Sequence, residues 1–259
     1  MEKVISDDGT SIAYERVGTG PALIAVDAAA NYGGFRALPA PVELLAADFT
    51  VYVYDRRGRG ASTDTPPYAI EREVDDIAAL IEAAGGSAFL YGLSSGGLLA
   101  LHAAASGLAV PRMALFEPPV EPVEPAAGES AFTAEVAALV GAGRLRDAVE
   151  AFHRGIGVPD EIIEGMASQT WAALEAVAHT LVYDSRLSDS MSLSLIRSVA
   201  VPTLVIDSFG SSEELAGMSR VVVEALPHGT HRSLSGEWHG VPHETLAPVL
   251  ASYLLARPL

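Results

Sequence analysis

Short apolar runs alternate with amphipathic segments along most of this 259-residue chain. At the start, KVIS and SIAYERV flank DDGT, a pattern that predicts a hairpin. PALIAVDAAA, FTVYVYD (49–55), SAFLYG, PRMALFE and VPTLVID (201–207) are brief runs of mostly aliphatic and aromatic residues. Runs of that kind suit strands buried on both faces of a parallel sheet. HRSLSG reads as one more strand. The segments between them have a helical period. IEREVDDIAALIEAAGG sets Ile70, Val74, Ile77, Leu80 and Ile81 at helical spacing, with acidic residues in its first turns and glycines at its end. GGLLALHAAASG and SEELAGMSRVVVEALP also read as helices, and HETLAPVLASYLL puts Leu246, Val249, Leu250 and Tyr253 on one face.

From about residue 118 to 198 the strand pattern stops. AFTAEVAALVGAG, LRDAVEAFHRGI and WAALEAVAHTLVYD each read as helix, and the Pro/Glu-rich EPPVEPVEPAAGE reads as the linker into this block. Strands alternating with helices predict an α/β fold, a mostly parallel sheet with helices on both faces. The expected organisation is a core formed by residues 1–117 and 199–259, with an inserted helical cap at 118–198.

Composition narrows the chemistry. With no cysteine, disulfides, thiolate metal sites and a cysteine nucleophile are excluded. The formal net charge of −17 repels nucleic acid and anionic membranes. DRRGR (55–59) is the one evident basic run that could act against that. The N-terminal sequence lacks a basic region followed by an apolar run, and no apolar stretch reaches the length of a membrane span. The expectation is a cytoplasmic protein with a small-molecule substrate, no nucleic-acid or membrane partner, and an oligomeric state the sequence leaves open.

The stretch LYGLSSGG (90–97) carries the candidate chemistry. A nucleophile on a sharp strand-to-helix turn needs glycines two before and two after it, because side chains there collide with backbone. Ser94 has both, Gly92 and Gly96, whereas Ser95 has Leu93 on its N-terminal side. The helix that follows puts partial positive charge where an oxyanion would form.

With GLSSGG, YDRRGRGAS, VPTLVID and GEWHGV together, the chain resembles the α/β-hydrolase superfamily over essentially its whole length. YDRRGRGAS matches that family's D-x-R-G-x-G-x-S loop. The resemblance implies a Ser-His-acid triad: Ser94 as nucleophile and His239 as base. It also implies an oxyanion hole built from the backbone N–H groups of Ala29 and Ser95, and no cofactor or metal. It implies hydrolysis of a small ester, lactone or thioester. Other acyl chemistry (perhydrolysis, cyclisation or C–C cleavage) and a retired, ligand-binding scaffold are the alternatives. Haloalkane dehalogenases and epoxide hydrolases use an Asp where this chain has Ser94. The remaining histidines have plainer readings: His228, His231 and His243 as surface residues, His102 as a helix-face residue, and His153 and His179 as cap residues, with His179 either lining the pocket or, as preferred, a partly buried core histidine. His228 and His231 lack a third ligand for a metal.

Two departures from the family pattern matter. Asp27-Ala28 stands where the family has His-Gly, and an ionised Asp27 beside an oxyanion would oppose catalysis. Asp27 must therefore point away, be neutral, or pair with a cation such as Arg56 or Arg57. The expectation is an ion pair or hydrogen bonds within the DRRGR network that support the loop, with a solvated loop Asp as the alternative. The family's usual acid position falls on Ser211. The candidate acids are then Asp207, Glu213 and Glu117. Glu117 is preferred as the first polar residue past an apolar strand, at the sheet edge where open α/β sheets build their sites. Asp207 is the runner-up.

Overall fold

The computed structural model describes residues 1–35, 41–122 and 128–256. Part of the expected linker, residues 123–127, lies outside them. Eight strands among the described residues form one sheet: β1 (Glu2–Ile5), β2 (Ser11–Val17), β3 (Ala22–Val26), β4 (Thr50–Tyr54), β5 (Phe89–Leu93), β6 (Met113–Phe116), β7 (Thr203–Ser208) and β8 (Gly229–Leu234). Their spatial order is β1-β2-β4-β3-β5-β6-β7-β8. The β1–β2 and β2–β4 pairs are antiparallel and every later pair is parallel. The strands of the parallel part are buried almost throughout, except β8 at the edge, which is why most of them read as unbroken apolar runs.

Helices α1 (Val42–Leu45) and α11 (His243–Leu254) cover one face of the sheet. Their Leu45, Leu246 and Leu250 pack on Leu23, Phe116 and Ile206. On the other face lie α2 (Ile70–Ala83) and α3 (Ser95–Ala105). They share a cluster with Ile24, Leu90, Leu115 and Val205. Between β6 and β7 come α4 (Ala131–Gly141), α5 (Leu145–Gly155), α6 (Asp160–Glu164), α7 (Ser168–Ala176), α8 (Leu181–Ser190) and α9 (Leu193–Ser198), and α10 (Glu213–Ala225) follows β7. No helix among the described residues is long and apolar enough to cross a membrane.

The helical insertion divides its apolar residues between two clusters. Val136, Phe152, Trp171, Leu174 and Leu181 form a cluster of their own, and Ala30 from the loop after β3 is part of it. Leu187, Met191 and Ile196, at the end of α8 and in α9, join the cluster on the α2–α3 face of the sheet instead. The segment WAALEAVAHTLVYD, expected as one helix, is broken. α7 stops at Ala176, a 3₁₀ turn spans Ala178–Thr180, and α8 restarts at Leu181. The cause is tertiary. Thr180 Oγ1 donates to the Val177 carbonyl (2.8 Å) and accepts from Arg59 Nε of the β4–α2 loop (3.2 Å), a contact invisible to local propensity.

Candidate active site

Ser94 sits between β5 and α3 with φ 53° and ψ −123°, a left-handed φ that L residues rarely hold. The turn stays tight because its flanks lack side chains. A Cβ at Gly92 would lie 2.6 Å from the Gly97 Cα, and one at Gly96 would strike the Val26 carbonyl oxygen. Ser94 N–H donates to the Phe116 carbonyl (2.9 Å), which fixes the turn against β6.

Glu117 is the first residue past β6 and is fully buried. Its φ of 45° swings it out of the strand's pleat at the carboxyl edge of the sheet. One carboxylate oxygen accepts from Ser208 N–H (2.8 Å), and the other lies 2.5 Å from His239 Nδ1. A buried carboxylate is tolerated only when paired and hydrogen-bonded, and both oxygens here are satisfied. His239 lies in a tight turn in which Glu237 N–H donates to the Gly240 carbonyl (2.9 Å), and its own φ is 50°. Its N–H donates to Ser211 Oγ (2.9 Å), so the residue at the family's usual acid position holds the histidine's backbone. Its ring is flanked by Phe116 and Trp238, with centroids 5.9 and 5.5 Å away.

Ser94, His239, Ala29 and Ser95 line one cavity of about 790 Å³, roofed by residues of the insertion such as Phe132, Phe152 and Met191. With Nδ1 turned to Glu117, Nε2 is the ring nitrogen left to face a substrate. Ser95 is the first residue of α3, so its N–H has no partner within the helix. Among the described residues, Ala29 N–H donates to no backbone carbonyl. Ala30, next to it, has φ 60°. Four of the five non-glycine residues with positive φ among those described are thus Ala30, Ser94, Glu117 and His239. Strain of this kind costs of order 1–3 kcal/mol per residue and gathers where geometry is over-determined.

A model of the alpha/beta hydrolase family matches residues 26–249. The chain belongs to the α/β hydrolase family. Among solved structures it is similar to an α/β hydrolase from Sphaerobacter thermophilus DSM 20745, at 41% identity and TM-score 0.87, over 97% of this chain and 99% of that one. More distant likenesses, which speak for the fold alone, include an esterase from Rhodococcus sp. ECU1013 (21% identity, TM-score 0.67, 99% of each chain). Another is the enol-lactonase from Burkholderia xenovorans LB400 (21% identity, TM-score 0.71, 98% of each chain). No curated protein matches the chain.

Other sequence expectations fall elsewhere. Asp207 is buried, but its carboxylate lies 2.8 Å from Nε2 of His231, a residue read from the sequence as a plain surface histidine. Glu213 opens α10 in an exposed position. His179 lies 3.9 Å from Asp64 and packs edge-on against Tyr183. The arginines of DRRGR form no basic surface, because Arg56, Arg57 and Arg59 are at most 1% exposed. Arg57 pairs with Asp76 and Asp8, and Arg56 with Glu73 and Asp184. Arg56 meets the buried Asp27 at its backbone carbonyl (3.5 Å). Asp184, on α8 of the insertion, escaped the sequence reading altogether. Its one signal is a carboxylate inside the apolar stretch LVYDS.

Proposed function

We propose that the protein is a serine hydrolase that cleaves a small ester, lactone or thioester through Ser94, His239 and Glu117. The observation that carries this reading is the 2.5 Å His239–Glu117 contact, on a histidine that shares its cavity with a serine held at φ 53°. Ser94 Oγ attacks the substrate carbonyl carbon while His239 Nε2 takes its proton. Glu117 holds the imidazole in the tautomer with Nδ1–H and stabilises the imidazolium. The Ala29 and Ser95 N–H groups receive the oxyanion. His239 then returns the proton to the departing alkoxide or thiolate, and water, activated by the same imidazole, frees Ser94. The cavity volume suits a small-molecule acyl donor. A retired binding scaffold would have no use for a strained serine and a strained, carboxylate-bound histidine on one cavity. Labelling by a fluorophosphonate probe and turnover of a p-nitrophenyl ester series test the reading. Both are expected in the wild type and neither in Ser94→Ala. An unlabelled wild type, or an acyl product other than the free acid, overturns it.

A further inference from the structure

One carboxylate of the insertion reaches both sides of the proposed oxyanion hole. Asp184 is 1% exposed, and its Oδ1 accepts from Ser95 Oγ (2.8 Å) and Arg56 Nη1 (2.7 Å), its Oδ2 from Arg59 Nη2 (2.5 Å). The same guanidinium of Arg59 donates through Nη1 to the Ala28 carbonyl (2.8 Å). That carbonyl belongs to the peptide unit whose other end is the Ala29 N–H. A trans peptide is planar, with its C=O and N–H pointing in opposite directions. Holding the carbonyl oxygen on Arg59 therefore fixes where the Ala29 N–H points. A cationic donor on the oxygen also polarises the unit and strengthens the N–H as a donor.

On the other side, Ser95 carries the second N–H, and its hydroxyl is tied to Asp184. Burial alone would push the Asp184 carboxyl up, but Arg59 and Arg56 override it and hold the group below the usual carboxylate range, so it stays an acceptor. The insertion is latched around this point. Tyr183 stacks on Tyr68 (centroids 3.9 Å apart, planes 3° apart), and its hydroxyl donates to Asp64 (2.7 Å). Ala30 is embedded in the insertion's apolar cluster.

We propose that Asp184 and Arg59 are positioning residues of the oxyanion hole, and that they orient the Ala29 and Ser95 N–H groups in a loop where Asp27-Ala28 stands. The insertion is then part of the catalytic geometry as well as the roof of the cavity. The inference rests on the triad reading above, and its test separates the two.

Asp184→Asn keeps the shape and removes the charge. It also leaves Arg56 and Arg59 under-compensated, so Arg59→Lys is made beside it. That variant keeps the charge balance, but a point ammonium cannot span Asp184 and the Ala28 carbonyl as a planar fork does. Turnover of a p-nitrophenyl ester is measured per active site, counted by fluorophosphonate titration. Affinity is measured for phenylboronic acid, whose tetrahedral serine adduct places an oxygen in the hole. We expect kcat per site to fall about 10- to 100-fold in either variant, less than the loss of a whole donor, with KM changing little. Boronate affinity should weaken in parallel. A variant with fewer titratable sites but normal kcat per site, or lower kcat with full boronate affinity, would show that the cluster serves stability alone and overturns the inference. Should Asp184→Asn not fold, Arg59→Lys decides by the same two readings. Ser94→Ala is run alongside. If it stays active, the triad reading fails. If it is dead while the Asp184 and Arg59 variants are normal per site, only this inference fails.

Discussion

Two histidine–carboxylate pairs stand within one strand of each other in this molecule, and they differ in everything but chemistry. Glu117 follows β6 and meets His239 at 2.5 Å; Asp207 lies in β7 and meets His231 at 2.8 Å. Glu117 has left its strand, with a left-handed φ that turns it out at the sheet edge. Asp207 is still inside regular β structure, in register with Ser233, on the face of Val205 and under α10. Strand residues alternate between faces, so Asp207 is aimed across the sheet and not off its end. The second Glu117 oxygen is occupied by the Ser208 N–H, while Asp207 Oδ1 has no hydrogen-bond partner among the described residues. The His239 side chain is 11% exposed and the His231 side chain 31%. His239 shares a cavity with Ser94, whereas His231 lines a separate open groove with Arg112 and Tyr253. The contact itself does not make a site. Backbone strain that steers both partners to one edge, and a strained serine on the same cavity, are what separate the pairs.

The strongest way to break the comparison is at the proposed nucleophile. Ser94→Ala should lower kcat by about 10⁴-fold or more, and fluorophosphonate labelling should disappear with it. Ser95→Ala should cost far less, roughly tenfold, because the backbone N–H remains and only its tether to Asp184 is lost, while Arg59 still holds the Ala28 carbonyl. An active Ser94→Ala beside a dead Ser95→Ala would reverse the roles of the two serines. The next test sets the carboxylates against each other. Glu117→Gln should lose about 10³-fold in kcat, since a neutral amide neither stabilises the imidazolium nor enforces its tautomer. Asp207→Asn should keep kcat near the wild-type value. The opposite ranking, measured under saturating ester, would assign the acid to Asp207.

The sequence is legible where local chemistry and tertiary structure agree. Buried strands such as ALIAV and MALF announce themselves because both faces of the sheet are covered. The elbow is visible because Gly92 and Gly96 are demanded by backbone approach, which leaves its mark in the chain itself. Glu117 stands out as the polar residue that ends an apolar strand. Asp184 had only a weak mark, a carboxylate within LVYDS, and nothing local pointed to its partners. Its partners Ser95, Arg56 and Arg59 lie 89, 128 and 125 positions away, and only the folded chain brings them together. The same distance hid the break at Val177–Thr180, since WAALEAVAHTLVYD is locally a good helix and Arg59 is what reaches its Thr180. Glu73 and Asp76, which hold Arg56 and Arg57 in the folded chain, lie one helical turn apart on α2, 17 and 19 positions away, and nothing local in DRRGR announces them.

The smallest expected effect concerns the second pair by itself. His231→Gln removes the imidazole but keeps a donor that can reach toward Asp207. The His231 side chain is partly exposed on the edge strand β8, so solvent screens its contact with the carboxylate. Asp207 keeps a residue able to hydrogen-bond to it, and no burial of a lone charge is forced. Stability should therefore change by less than about 1 kcal/mol, read as a shift in urea midpoint at constant m-value. The ester kcat should be that of the wild type. A large fall in kcat with an unchanged urea midpoint would mean that the groove at His231 communicates with the cavity at Ser94, and the separation drawn between the two pairs would be wrong. A large fall in midpoint with normal kcat would instead leave the separation intact and make His231–Asp207 a fastening of the β7–β8 edge, stronger than its exposure suggests.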